Sequence, residues 1–129
     1  MRLGLIALVA AATASACSPG LPECDPPPTP LASAPDLPPG FPTPDLMTFT
    51  LQREAGPSSV VEGYWSGDLE EAYEGWRAAF PAAGYGVTFD EVETNDAEVN
   101  FAGGETTGQV KMVQTCAGRV TTSIIIRPD

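Results

Sequence analysis

The side chains best suited to chemistry in this chain are carboxylates and cysteines. Asp90, Glu91, Glu93, Asp96 and Glu98 crowd one short stretch. Paired carboxylates can divide general-acid and general-base work between them, and oxygen donors alone suffice to bind calcium. The stretch lacks the ligand spacing of an EF-hand loop. It therefore reads first as a solvated strand end and turn, with a calcium-binding module over residues 90–98 as the alternative. The sequence contains no histidine, which removes the usual base near neutral pH and the commonest transition-metal ligand. A serine nucleophile would stand without its base, and no Gly-x-Ser-x-Gly elbow, phosphate loop or dinucleotide fingerprint is present. Zinc needs four ligands, and cysteines without histidine do not supply them here. Gly103-Gly104-Glu105-Thr106-Thr107-Gly108 is glycine-rich enough to cradle an anion, but a loop between two strands is the plainer reading. The expectation is a non-enzymatic protein with no cofactor and no metal site.

The cysteines lead elsewhere. Residues 1–16 have the build of an export signal: Arg2 gives a positive start, residues 3–12 are apolar, and Thr13-Ala14-Ser15-Ala16 is a small-residue cleavage region. The apolar run falls well short of the roughly 20 residues that a membrane-spanning helix needs. Cys17 follows at once. Ala14-Ser15-Ala16-Cys17 resembles the lipobox of bacterial lipoprotein precursors, although that family favours Leu where this chain has Ala14. The resemblance implies that the Cys17 sulfur carries diacylglycerol and that Cys17 becomes the new N-terminus. Ala14-x-Ala16 also fits ordinary signal peptidase cleavage, so a secreted, unanchored protein stays open as an alternative. The chain has three cysteines, and an odd count in an exported protein leaves one thiol to explain. With Cys17 lipidated, Cys24 and Cys116 are free to pair, as an oxidising compartment permits. The alternative is a thiol in each of two separate places.

Charge narrows the partners. Lys plus Arg is 6 and Asp plus Glu is 17, a net charge of −11. Phosphate backbones are bound by clustered Lys and Arg, so the balance argues against nucleic acid. It also argues against docking on anionic headgroups through a basic face. An acidic, solvated surface suits an exported protein. The expected partners are the membrane, through the lipid anchor, and an envelope protein or glycan.

The elements that would carry these residues follow from periodicity. Residues 18–45 form a proline tract. Proline lacks an amide donor and fixes φ, so the tract is expected as an extended spacer of up to about 80 Å at polyproline rise. Its P-x-x-P spacings, such as Pro27 to Pro30, could serve an aromatic groove, but proline density alone generates them. From Leu46 the pattern changes. Met47, Phe49 and Leu51 alternate with polar residues, Gly56-Pro57-Ser58 turns the chain, and residues 59–65 read as a second strand. Leu69, Ala72, Tyr73, Trp76, Phe80 and Ala83 then fall on one helical face. Asp68 is the expected N-cap with Glu71 completing a capping box; Pro81 should end the helix near Phe80, and Gly84 should close it. Four more strands follow, around 85–90, 97–101, 109–115 and 119–127. The expected class is α+β, one helix packed on a mainly antiparallel sheet, in the order β-β-α-β-β-β-β. The other face of the sheet should be polar and acidic, through Thr48, Glu62, Thr88, Asp90, Glu98, Asn100 and Lys111. The domain division is 1–16 signal, 17–45 lipidated Cys and linker, and 46–129 folded domain. Residues 69–126, with Ala82-Ala83-Gly84-Tyr85 and the glycine-rich hairpin, look like small lipoprotein domains of high-GC Gram-positive bacteria. That likeness implies location and fold and no reaction. The expected role is a membrane-anchored extracytoplasmic lipoprotein, on the outer leaflet, that binds or supports something at the cell envelope.

Overall fold

A computed structural model describes residues 20–129. The expected export signal over 1–16 and the expected lipidation site, Cys17, lie outside the described residues. The described chain forms β1 (Met47–Ala55), β2 (Ser58–Ser66), α1 (Leu69–Ala82), β3 (Gly86–Val92), β4 (Asp96–Gly103), β5 (Thr106–Cys116) and β6 (Arg119–Pro128). The strands make one six-stranded sheet in the order β1-β2-β6-β5-β4-β3, and every neighbouring pair is antiparallel. The element order is the one that periodicity predicts. By residue content the fold is mainly β, with a single helix.

The helix forms where its signals stand. The Asp68 carboxylate accepts a hydrogen bond from the Glu71 amide at 2.8 Å, satisfying one of the amides that a helix start leaves unpaired. Leu69, Ala72, Tyr73, Trp76 and Phe80 are buried. The helix runs through Pro81 to Ala82, slightly past the expected end. A proline in the last turn removes only one backbone bond, and the terminus is closed around it. Gly84, at φ 87°, donates to the Pro81 carbonyl, and Tyr85 donates to the Phe80 carbonyl at 2.9 Å, which is a Schellman closure. The Phe80 and Tyr85 rings meet 5.9 Å apart across it. Gly75 sits mid-helix, where it costs about 1 kcal/mol relative to Ala. A Cβ there would stand 2.9 Å from Cζ2 of Trp65, so the glycine lets the indole lie directly under the helix.

The core side of the sheet is built by Val61 on β2, Val99 and Phe101 on β4, Val110 and Met112 on β5, and Val120 and Ile124 on β6. The helix packs on this side over β3, β4, β5 and the adjoining part of β6. A buried amide links the two layers: Gln114 Oε1 accepts from the Leu69 amide at 2.8 Å.

Two strands depart from simple alternation. The β3–β4 register pairs Val87 with Phe101 and then Phe89 with Asn100, leaving Thr88 as an extra residue. Such a bulge turns everything after it to the other face. Phe89 therefore lies on the open face at 49% exposure, and Asp90, opposite Val99, turns to the helix side. This corrects the expected placement of Asp90 on the open polar face. β1 has the same irregularity between Phe49 and Leu51, which leaves Leu51 exposed.

The proline tract also differs from expectation. It is not a free spacer over residues 20–45 but a strap lying on the sheet. The Ala117 amide donates to the Pro22 carbonyl at 2.8 Å, and Cys24 is disulfide-bonded to Cys116 at the end of β5. Arg119 donates to the Asp25 carbonyl at 2.7 Å. Pro28 then passes over Thr50, Glu62 and Thr121 on the face away from the helix. At the β1 edge the Leu31 amide donates to the Phe49 carbonyl at 2.9 Å. Both the amide and the carbonyl of Asp36 pair with the Gln52 side chain, each at 2.8 Å. The strap ends on the helix side, where Leu37 packs on the core and Phe41 is buried in it. The Phe41 ring lies 5.6 Å from Phe80, 5.7 Å from Tyr85 and 5.3 Å from Phe101. The division at residues 45 and 46 thus does not separate a linker from a core, because Phe41 belongs to that core. Polyproline backbone has few donors to satisfy, so it can lie across a polar face with its carbonyls in water and hold on through widely spaced side chains.

Candidate functional site

The structure brings together two of the three cysteines. Cys24 and Cys116 form a disulfide with Cα atoms 5.0 Å apart, as the odd cysteine count suggested. The bond ties the start of the strap to the β5–β6 turn. Beside it, Cys24, Asp25, Pro26 and Pro27 on one wall and Tyr64, Ser66 and Arg119 on the other enclose an open groove of about 540 Å³. The Arg119 guanidinium sits 5.7 Å from the centre of the Tyr64 ring. The groove offers a cation, an aromatic face and a hydroxyl. Its only cysteine is locked in the disulfide, and the sequence contains no histidine. Arg119 and Tyr64 were not singled out by sequence reasoning. Their signal is positional only, two strand residues facing a tract that gave no sign of where it would lie.

The acidic stretch does not converge. Asp90 accepts a hydrogen bond from the Tyr73 hydroxyl on α1 and lies 3.7 Å from Arg77 Nε. Tyr73 is held above its ordinary value by that hydrogen bond first, then by burial and the Asp90 charge, with Arg77 opposing. Glu91 and Glu98 oppose each other on the open face, and Glu98 also stands opposite Lys111. The Glu91 carboxyl lies above the usual glutamate value through lost hydration and then through Glu93, with smaller contributions from Glu98 and Asp96. Its side chain is exposed, so solvent and salt screen these repulsions. With Asp90 on one face and Glu91 and Glu98 on the other, the segment offers no common centre. Among the described residues no group of three or more His, Cys, Asp or Glu is placed to hold a metal ion.

Gly103-Gly104 closes the β4–β5 hairpin, with the Thr106 hydroxyl donating to the Gly103 carbonyl at 3.0 Å. The loop spends that hydroxyl on its own turn. Among the described residues no helix is long and apolar enough to cross a membrane. Comparison with family models, with curated proteins and with solved structures found no match.

Proposed function

We propose that this chain is an exported lipoprotein, held on the outer leaflet of the cell membrane by diacylglycerol on Cys17. Its strapped domain then has a non-enzymatic binding or structural role at the cell envelope. The observation that carries the reading is the Cys24–Cys116 disulfide. Disulfides persist in oxidising compartments and are rare in reducing ones. Once two of the three cysteines are paired, Cys17 is the remaining thiol, and it stands directly after an apolar, cleavable leader. Two acyl chains supply the stable anchoring that a single chain does not. The net charge of −11 favours an envelope protein or a glycan as the class of partner and argues against nucleic acid.

Intact-mass measurement of the mature protein from the membrane fraction tests the anchor. The expected species begins at Cys17 and carries the mass of diacylglycerol. A chain that begins at Cys17 with no added mass, recovered from the medium, would establish the secreted alternative instead.

A further inference from the structure

The strap changes what a lipid on Cys17 would do to the domain, and this inference rests on the anchor proposed above. Read as a free spacer, the proline tract would let the domain stand far from the bilayer. In the structure the chain is bound to the sheet at Cys24, whose Cα is 5.0 Å from that of Cys116. Even counted as far as this covalent bond, past the Pro22 carbonyl that already accepts from Ala117, the leash is only the seven residue steps from Cys17 to Cys24, which reach at most about 25 Å fully extended. We infer that the end of the sheet bearing the β5–β6 turn is the membrane-facing surface of the domain, and that the partner it faces is the lipid headgroup layer.

The start of β1, the β2–α1 link, the β5–β6 turn and the β3–β4 turn share that end, the last through the Gln114 amide donating to the Asn95 carbonyl at 2.9 Å. The Gly67 amide donates to the Gly118 carbonyl at 3.0 Å, and the Ser66 amide donates to the Leu46 carbonyl at 2.9 Å. The exposed apolar side chains toward that end are Leu21 and Leu46 on the strap side and Val92 and Val113 beside the β3–β4 turn. The opposite end holds the β1–β2 turn at Gly56 and the β4–β5 turn at Gly104. The 11-residue β5 strand runs between the ends, a span of about 35 Å at strand rise. The leash is shorter than the domain is long, so the far end cannot take the place of the near one without the domain lying flat. Charge sets the finer distance. Glu23 and Asp25 flank Cys24, Asp45 and Asp68 adjoin Leu46 and Gly67, and Glu93 and Asp96 lie on the β3–β4 turn, so an anionic bilayer pushes this end outward to the limit of the leash, and a zwitterionic one lets Leu21 and Leu46 approach. That difference fades as salt shortens the screening length, about 8 Å at physiological ionic strength.

The test uses the full mature protein, purified from membranes and placed in phosphatidylcholine nanodiscs containing a nitroxide-headgroup lipid. Intact mass is read first, then the paramagnetic loss of amide signal. Gly67, Ala117 and Gly118 should lose intensity while Gly56 and Gly104 keep it. The Cys24→Ala/Cys116→Ala variant removes the covalent fixed point and leaves only the hydrogen bonds at Pro22 and Asp25 ahead of Leu31; each time these open, the leash doubles to about 50 Å, and the contrast between the ends should shrink. A lipid on Cys17 with equal loss at both ends, or with none at either, overturns the orientation alone. A bare Cys17 removes the anchor and the orientation together.

Discussion

The sheet has two covers that hold by different means. The helix distributes its attachment: Leu69, Ala72, Tyr73, Trp76 and Phe80 are all buried, its backbone bonds are internal, and both of its ends are capped. The strap concentrates its attachment. It has one buried side chain, Phe41, one covalent bond, Cys24–Cys116, and a few spaced hydrogen bonds, at Pro22, Asp25, Leu31 and the Gln52 clamp on Asp36. A segment with few buried contacts and little internal hydrogen bonding is where local opening begins. The helix should therefore lose stability gradually as contacts are removed, and the strap should fail at single points.

The disulfide offers the largest break in that comparison. It closes a loop with a sequence separation of 92 residues, and the chain-entropy account gives about 4.6 kcal/mol for a loop of that size. Cys24→Ala/Cys116→Ala should lose most of that in urea denaturation. Hydrogen exchange should show where the loss is concentrated, with amides of residues 20–30 losing protection beyond the drop that lower global stability imposes on α1. Uniform loss across both covers would mean that the strap and helix unfold as one unit and that the contrast is wrong.

Phe41→Ala comes next. The ring fills a space bounded by Phe80, Tyr85 and Phe101, and removing a buried aromatic ring costs about 3 kcal/mol or more. Leu37, which only packs against the edge of the core, should cost clearly less when replaced by Ala. Equal effects at the two positions, read from urea midpoints, would mean that the strap is held along its length and not at its anchor.

The helix cover was legible because its cues are local. Asp68 and Glu71 sit three residues apart, and the apolar stripe repeats within a few turns, so both survive without knowledge of the rest of the chain. The same holds for the hairpin around Gly56-Pro57 and for the sequence of elements along the chain, though not for the order of strands across the sheet. The bulge at Thr88 was not legible, since an alternating run gives no sign of one extra residue; its consequence was the exchange of faces by Phe89 and Asp90. The strap was legible only in part. Prolines declare that a segment joins no ladder, but they do not declare where it lies. Phe41, a large apolar residue inside a proline tract, was the available clue, together with an odd cysteine count that pointed Cys24 toward Cys116. The groove beside Tyr64 and Arg119 depends wholly on that path and so stayed hidden.

The smallest effect concerns the polar ties, and it separates the covers by pH. On the helix side the Tyr73 hydroxyl donates to Asp90, and Tyr73→Phe should cost about 1 kcal/mol at neutral pH. The loss stays modest because Arg77 still lies 3.7 Å from the Asp90 carboxylate. In the folded protein this tyrosine titrates above its ordinary value of 10.0, chiefly because ionisation would break the bond to Asp90. Its contribution is therefore complete below the unfolded value and is lost as pH rises through the higher folded one. The stability gap between wild type and Tyr73→Phe should close as urea titrations move from about pH 8 into the range above pH 10. On the strap side the tie is the Gln52 amide on the backbone of Asp36, which has no titratable atom. Gln52→Ala should cost a similar amount, about 1 kcal/mol, with a gap that stays level over the same range. A gap that closes for both variants would place its cause in general alkaline unfolding, because only one of the two ties carries a proton to lose.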